Sequence, residues 1–248
     1  MTTTTPARGR FIVLEGIDGS GKTTQLEALA AWLPTSGLMP PGAELITTRA
    51  PGGTALGQRL RELLLHPPDD AEPCPIAELL LYVADTAQLC SQVVEPALAA
   101  GHWVLCDRFT GSTVAYQGYG RGHDLTVIQQ LNQLATGDLE PDLTLWLDLS
   151  PADALQRRSN RPADRIERAG EGFLGRVAFG YGKLYVESLN WHYLKGKQRY
   201  WPCRNAAEGA DGDDPGLMFI LNANAPLAQV TKACQEKLRS RFRADATP

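Results

Sequence analysis

The sequence predicts an α/β fold in which about five parallel strands form a sheet flanked by helices. Three observations carry this. Short apolar runs alternate along the chain with segments of helical periodicity, the pattern of strand–helix–strand crossovers. One of these runs, Leu143–Leu149, is apolar at nearly every position, as in a strand covered on both faces. The first run passes through a glycine-rich turn straight into a helical pattern.

Phe11–Leu14 is the first strand, Gly16–Gly21 the turn, and Leu26, Leu29, Ala30 and Leu33 mark the helix that follows. Leu45–Thr48 is a second strand and Leu56–Leu65 a helix. Ile76–Ala100 is a long helical pattern that Pro96 bends or interrupts, because proline has no amide hydrogen and its ring crowds the preceding turn. Trp103–Cys106 is the third strand, Leu125–Ala135 a helix and Leu143–Leu149 the fourth strand. Glu171–Leu189 has helical spacing weakened by Gly172, Gly175, Gly180 and Gly182, each costing about 1 kcal/mol against alanine. Lys195–Gly216 is polar and aperiodic and reads as a variable loop or insertion. Leu217–Leu221 is a last strand and Pro226–Phe242 a closing helix with a basic end. No internal repeat is evident, and residues 1–248 read as one domain.

At 248 residues, such a domain buries enough of its surface to need neither a disulfide framework nor a structural metal. Lys and Arg number 24 against 28 Asp and Glu, so the net charge of -4 offers no general attraction to nucleic acid or to an anionic membrane. Cys74, Cys90, Cys106, Cys203 and Cys234 are odd in number, scattered, and never spaced for zinc. No stretch has the length and apolarity of a secretory signal or a membrane span. These features predict a reduced cytoplasmic protein acting on small molecules.

The turn Gly16-Ile17-Asp18-Gly19-Ser20-Gly21-Lys22-Thr23, with Thr24 after it, fits G-x-x-x-x-G-K-[ST], the phosphate-binding P-loop. Its glycines let successive N–H groups turn inward on phosphate oxygens. Lys22 reaches the outer phosphates of a nucleoside triphosphate, Thr23 offers a hydroxyl to Mg2+, and the next helix presents its positive end to the anion. The motif makes ATP and Mg2+ the expected cofactors and the fold the three-layer one of P-loop NTPases.

Further motifs narrow the chemistry. Phe11–Gln25, Thr48-Arg-Ala-Pro-Gly-Gly-Thr54, Asp107-Arg-Phe-Thr-Gly-Ser-Thr-Val-Ala-Tyr-Gln-Gly118, Gly120-Arg-Gly122, Pro141–Leu145 and Asp164-Arg-Ile-Glu167 occur in the order found in the thymidylate kinase family, which the chain resembles from about Arg10 to Arg168. The resemblance implies ATP-dependent phosphorylation of dTMP to dTDP by a helix-joined homodimer. It places Arg49, Arg61 and Arg108 toward the acceptor's phosphate and Tyr82 as the platform stacked on the base, although spacing alone would put Tyr82 in the core. Thr113 and Gln117 become readers of the thymine edge. Asp18 lies by the reacting phosphate and sugar, and Asp107 organises Mg2+ through water. Gly19 stands where some members carry arginine; in members that lack it, a mobile lid supplies the cation instead. Residues 157–168 carry Arg157, Arg158, Arg161, Arg165 and Arg168, with Arg161 the first choice for the phosphoryl contact and Arg165 the second; a merely solvated basic face is the alternative.

The chain departs from the family at two places. Ala50 replaces a glutamate and Thr86 an arginine expected over the acceptor. A charge-assisted hydrogen bond contributes about 1.5–3 kcal/mol, so loss of that arginine alone would weaken acceptor binding about 10- to 150-fold. This opens two alternatives to full dTMP kinase activity: a paralog that binds nucleotide with weak phosphotransfer, or a kinase with altered acceptor specificity. Trp191, His192, Tyr193, Tyr200 and Trp201, beside Lys195, Lys197 and Arg199, form either a partner surface or a satellite core.

Overall fold

Each predicted strand forms, within two residues of its expected bounds. The computed structural model describes residues 7–68, 70–158, 164–190 and 218–242. The strands β1 (Phe11–Glu15), β2 (Leu45–Arg49), β3 (Trp103–Asp107), β4 (Leu143–Asp148) and β5 (Met218–Asn222) lie in the order β2-β3-β1-β4-β5, with every pairing parallel. The helices are α1 (Lys22–Trp32), α2 (Ala55–Leu65), α3 (Pro75–Leu89), α4 (Glu95–Ala99), α5 (Thr110–Thr113), α6 (Leu125–Thr136), α7 (Pro151–Arg158), α8 (Gly170–Asn190) and α9 (Leu227–Phe242).

Because side chains alternate across a strand, a continuous apolar run feeds two cores. Phe11 and Val13 of β1 join Val104 and Cys106 of β3 on one face, under Leu89, Val94, Ala97 and Leu98 of the α3–α4 arm. Ile12, Leu14, Leu105, Leu145 and Leu147 face the other way, in one cluster with Leu29 of α1 and Val230, Cys234 and Leu238 of α9. Helices thus cover both faces, as the sequence predicts.

Two local outcomes have clear causes. The interruption expected at Pro96 is a π-helical turn, Cys90–Val94, placed immediately before α4. The wider turn removes the clash and the missing bond that proline would bring to a regular α-helix. The glycine-weakened segment forms the single helix α8. Packing outweighs propensity there: α8 lies against the π-helical segment Val114–Gly120 so closely that a Cβ on Gly180 would stand 2.8 Å from the Tyr119 ring. Propensity is a weak prior when tertiary contact decides. The variable loop at 195–216 and the aromatic residues from Trp191 to Trp201 lie outside the described residues.

Parallel strands bring their carboxyl ends to one edge, where open α/β sheets bind ligands. Here that edge gathers Gly16 after β1, Ala50 after β2 and Arg108 after β3.

A candidate nucleotide-binding and phosphoryl-transfer site

The turn after β1 curls through positive backbone φ at Gly16 (141°), Gly19 (90°) and Gly21 (91°), a conformation that costs glycine little. Its curvature lets Lys22 fold back, so that its ammonium donates to the carbonyls of Gly16 (3.0 Å) and Ile17 (2.9 Å). Burial, reinforced by the nearby positive Arg108, pushes the Lys22 pKa down to about 8 against the pull of Asp18, Asp107 and Glu15. Ile17 packs its side chain in the core and serves the loop through its backbone. The Ser20 hydroxyl is buried with no partner. Thr23 and Thr24 are exposed in the first turn of α1. The Thr23 hydroxyl donates to Asp107 Oδ2 at 3.3 Å, whereas Asp107 Oδ1 is buried and unpartnered.

Over this loop opens a polar cleft of about 1120 Å3, lined by Gly19, Gly21, Lys22, Thr23, Arg49 and Asp107 and closed on one side by Arg157 and Arg158 of α7. A second cleft of about 590 Å3 has Tyr82, Thr86, Thr113 and Gln117 along its walls. The two share Asp18, Ala50, Arg61, Arg108 and Asp164 and therefore meet at those residues.

Arg108 is the hub of the junction. Its backbone takes a positive φ of 71°, an uncommon conformation for a non-glycine residue and one that clusters at functional sites. One terminal nitrogen donates to Asp18 Oδ1 (2.7 Å) and the Tyr116 hydroxyl (3.1 Å). The other donates to the Gly16 carbonyl (2.8 Å) and the hydroxyls of Ser112 (3.1 Å) and Tyr181 (3.2 Å). The Asp18 carboxyl loses hydration on burial, yet Arg108, Lys22 and the Tyr116 hydroxyl outweigh that cost and hold it well below the usual carboxylate range. A fixed anion thus stands beside a fixed cation where the clefts join.

The structure gathers nearly all the residues singled out from the sequence. Gly16, Ile17, Asp18, Gly19, Ser20, Gly21, Lys22 and Thr23 form the loop, with Asp107 opposite Thr23 and Arg49, Arg61 and Arg108 across the cleft. Tyr82 is half-buried and lines the second cleft instead of packing fully into the core. Gln117 is buried and held by Glu78, its Nε2 donating to Oε1 at 3.2 Å. Thr24 is absent from the lining of either cleft.

The lid reading needs correction. Arg165 is not available for a phosphoryl contact: its guanidinium is buried, bonded to the Leu64 carbonyl and to the equally buried Glu78 carboxylate. A charge so deep requires a partner, and Glu78 also holds Arg121. Arg158 pairs with Glu167 at 3.0 Å, and Arg157 reaches the carbonyls of Gly19 (3.5 Å) and Ala223 (2.9 Å). Arg161 lies outside the described residues. A Cβ at Gly19 would fall 2.9 Å from the Ala154 carbonyl oxygen at a φ of 90°, so a side chain here would require α7 to shift.

Sequence reasoning missed Glu15, Glu78, Ser112, Tyr116 and Tyr181. Ser112 and Tyr116 lie at helical spacing after Arg108 and could have been found by that offset. Tyr181 is 73 positions from Arg108, and no local pattern marks it.

The departures also have a visible form. Ala50 is buried at the junction, its amide donating to the Asp107 carbonyl at 3.0 Å. Thr86 is buried and turns its hydroxyl back to the Tyr82 carbonyl at 3.1 Å. Beside it, Asp85 accepts from Gly52 N–H at 3.0 Å with one oxygen, leaving the other buried and unpartnered. Burial drives its carboxyl up to about 6 despite that bond and the charge of Arg61. Since the folded chain holds this proton more tightly than the unfolded one, Asp85 costs stability as pH rises from about 4 to about 6. The isosteric D85N is therefore expected to be more stable than the parent at pH 7.5, by about 1–3 kcal/mol, with the gain gone below pH 4. Thermal unfolding across that range measures this; a gain independent of pH would refute it.

Comparison with known proteins agrees with this geometry. The sequence model of the thymidylate kinase family matches residues 14–204. A thymidylate kinase of Synechococcus sp. (strain RCC307) is 68% identical over 182 residues, covering 73% of this chain and 86% of the relative. One from Prochlorococcus marinus (strain MIT 9303) is 60% identical over 200 residues, covering 81% and 92%. The crystal structure of a thymidylate kinase from Ehrlichia chaffeensis superposes with a TM-score of 0.66 at 28% identity, covering 94% of this chain and all of the other. With its P-loop, its paired clefts and these relatives together, the chain belongs to the thymidylate kinase family.

Proposed function

We infer that this protein is a nucleoside monophosphate kinase that transfers the terminal phosphoryl group of ATP to dTMP, giving dTDP. The single observation that carries the reading is the meeting of two clefts at Asp18 and Arg108: one sits on a P-loop, and the other is shaped by Tyr82, Thr113 and Gln117. No observation favours a non-catalytic paralog or a different acceptor.

Phosphoryl transfer asks the protein mainly for position and charge. The P-loop amides and Lys22 hold the triphosphate, and Lys22 must exchange its bonds to the Gly16 and Ile17 carbonyls for phosphate oxygens. Arg108, with Arg49 and Arg61, holds the acceptor phosphate in line with it. Asp18 keeps Arg108 aimed. Tyr82 stacks on the base, while Thr113 and Gln117 pair with its edge. Arg157 and Arg158 line the donor cleft, and the phosphoryl contact is assigned to Arg161.

The residues present suit Mg2+: the Asp107 carboxylate, whose Oδ2 accepts the Thr23 hydroxyl while Oδ1 is unpartnered, forms with that hydroxyl a hard-oxygen set of the kind this ion takes with phosphate and water. Among the described residues no group of three or more His, Cys, Asp or Glu could hold a metal by itself, as expected for an ion shared with nucleotide. When bound, Mg2+ neutralises phosphate charge.

The four cysteines among the described residues are free, which suits the reducing cytoplasm. Exposed Leu56 and Leu63 on α2, Ile76 and Leu80 on α3, and Val127 and Leu134 on α6 supply an apolar surface for a homodimer across these adjacent helices. Leu134, 81% exposed, is the most exposed large apolar side chain among the described residues.

The test is a coupled assay with ATP, Mg2+ and a panel of nucleoside monophosphates. Preferential turnover of dTMP is expected; turnover of another monophosphate in preference, or nucleotide binding without turnover, would overturn the reading.

A further inference from the structure

We propose that Glu15 and Tyr181 are positioning residues that set the polarity of a hydroxyl relay beneath Arg108 and thereby aim its guanidinium at the acceptor phosphate. The proposal rests on the assignment of Arg108 to that phosphate.

Glu15, the last residue of β1, is 2% exposed. Its Oε1 accepts the amides of Phe109 (2.9 Å) and Ser112 (3.1 Å), which ties the turn after β3 to the end of β1. Its Oε2 accepts the hydroxyls of Ser112 (2.6 Å) and Tyr181 (2.8 Å). Those same two hydroxyl oxygens accept Arg108 Nη1. A hydroxyl has one proton to give. Burial raises the Glu15 pKa against the pull of Ser112 and Arg108. With the carboxylate ionised, it draws both protons in preference to the 2.9 Å contact between the two hydroxyls, and both oxygens are left to present lone pairs to Arg108. The carboxylate therefore acts on Arg108 without touching it.

The neighbourhood is shaped to keep the carboxylate there. A Cβ on Gly111 would come within 3.0 Å of Glu15 Oε1, so the α5 turn can wrap the carboxylate only because residue 111 has no side chain. Tyr181 is fully buried and arrives from α8, stacked on Trp146 of β4 at 6.2 Å between ring centroids. It joins α8 to the acceptor side of the site.

Glutamine at position 15 has the same shape, but its amide donates where the carboxylate accepted. The hydroxyl protons would turn toward Arg108, replacing two acceptors with two opposing dipoles. E15Q and Y181F are therefore compared with the parent in steady-state kinetics using ATP, Mg2+ and dTMP, alongside thermal unfolding. E15Q is expected to raise the KM for dTMP at least about tenfold, the effect of losing one hydrogen bond to a charged group, while the KM for ATP stays within about twofold. Y181F, which deletes one relay oxygen and almost no volume, is expected to raise the KM for dTMP about threefold to tenfold. Because both act on Arg108 by one route, the double variant should be little worse than E15Q alone.

An unchanged dTMP KM in both variants overturns the proposal. So does an equal rise in both KM values that follows a loss of stability. If E15Q does not fold, Y181F decides alone by the same criteria. R108A separates the two levels: if it too leaves the dTMP KM unchanged, the assignment of Arg108 has failed, whereas a raised KM in R108A with none in E15Q and Y181F refutes the relay alone.

Discussion

Replacing Lys22 with alanine is expected to lower phosphoryl transfer by about 10³-fold or more with little effect on folding. The ammonium is buried and bonded to two carbonyls of its own loop, and the proposed function assigns it to the triphosphate's outer oxygens. Few groups can replace a charge that is already desolvated and aimed, so its removal should appear in kcat as well as in the KM for ATP. Its depressed pKa adds a second expectation. In the free enzyme the ammonium begins to lose its proton near pH 8, so kcat/KM for ATP should fall above that pH. Saturating ATP restores the proton by adding negative charge, and kcat should hold to higher pH. Steady-state kinetics between pH 6.5 and 9.5 measure both; a K22A enzyme retaining a tenth of the parent rate would refute the assignment.

The second large effect is expected at Arg108. R108A removes the cation at the junction and leaves Asp18 without its ion pair, so kcat/KM for dTMP should fall about 10²- to 10³-fold, more than one charge-assisted bond alone explains. The KM for ATP should change less, because the loop amides and Lys22 remain to hold the donor, although Arg108 also braces the loop at Gly16 and Asp18. R108K retains charge but not the fork that engages Asp18, Tyr116, Ser112 and Tyr181 together, and should recover only part of the loss. The pH profile carries a further sign. Arg108 is the strongest of the groups that hold the Asp18 carboxyl down; without it burial is opposed only by Lys22 and Tyr116, so the carboxyl should rise and an acidic limb move up in the profile. An R108A profile without that limb would argue that Asp18 has no role in transfer.

The Ala50 and Thr86 departures illustrate the limit of motif reading. Both replace charged residues of the family pattern; Thr86 lines the second cleft and Ala50 lies where the two clefts meet. What the motif could not show is that Thr86 closes its hydroxyl on its own helix, or that Asp85 next to it is buried with one free oxygen. A substituted residue changes its neighbours' electrostatics, and those neighbours come from α2 and from the Pro51-Gly52 turn as well as from α3.

Local patterns determined much of this protein. Apolar runs buried on both sides demanded a parallel sheet with helices on both faces, because only that arrangement covers such strands. The spacing of Gly16, Gly21, Lys22 and Thr23 specified a phosphate cradle, because positive φ, a long cation and a hydroxyl must follow one another in that order along a few residues. These constraints act over one or two turns of chain and are therefore visible in its order. Tertiary structure alone decided which arginines are free to act. The sequence offers both Arg108 and Arg165 for phosphate contacts, yet Arg165 neutralises the buried Glu78 whereas Arg108 stands at the meeting of two clefts. The same holds for Glu15 and Tyr181, whose meeting depends on α8 packing over the sheet. A charge's role depends on what surrounds it in space, and the strongest surroundings here come from segments that the chain brings together only on folding.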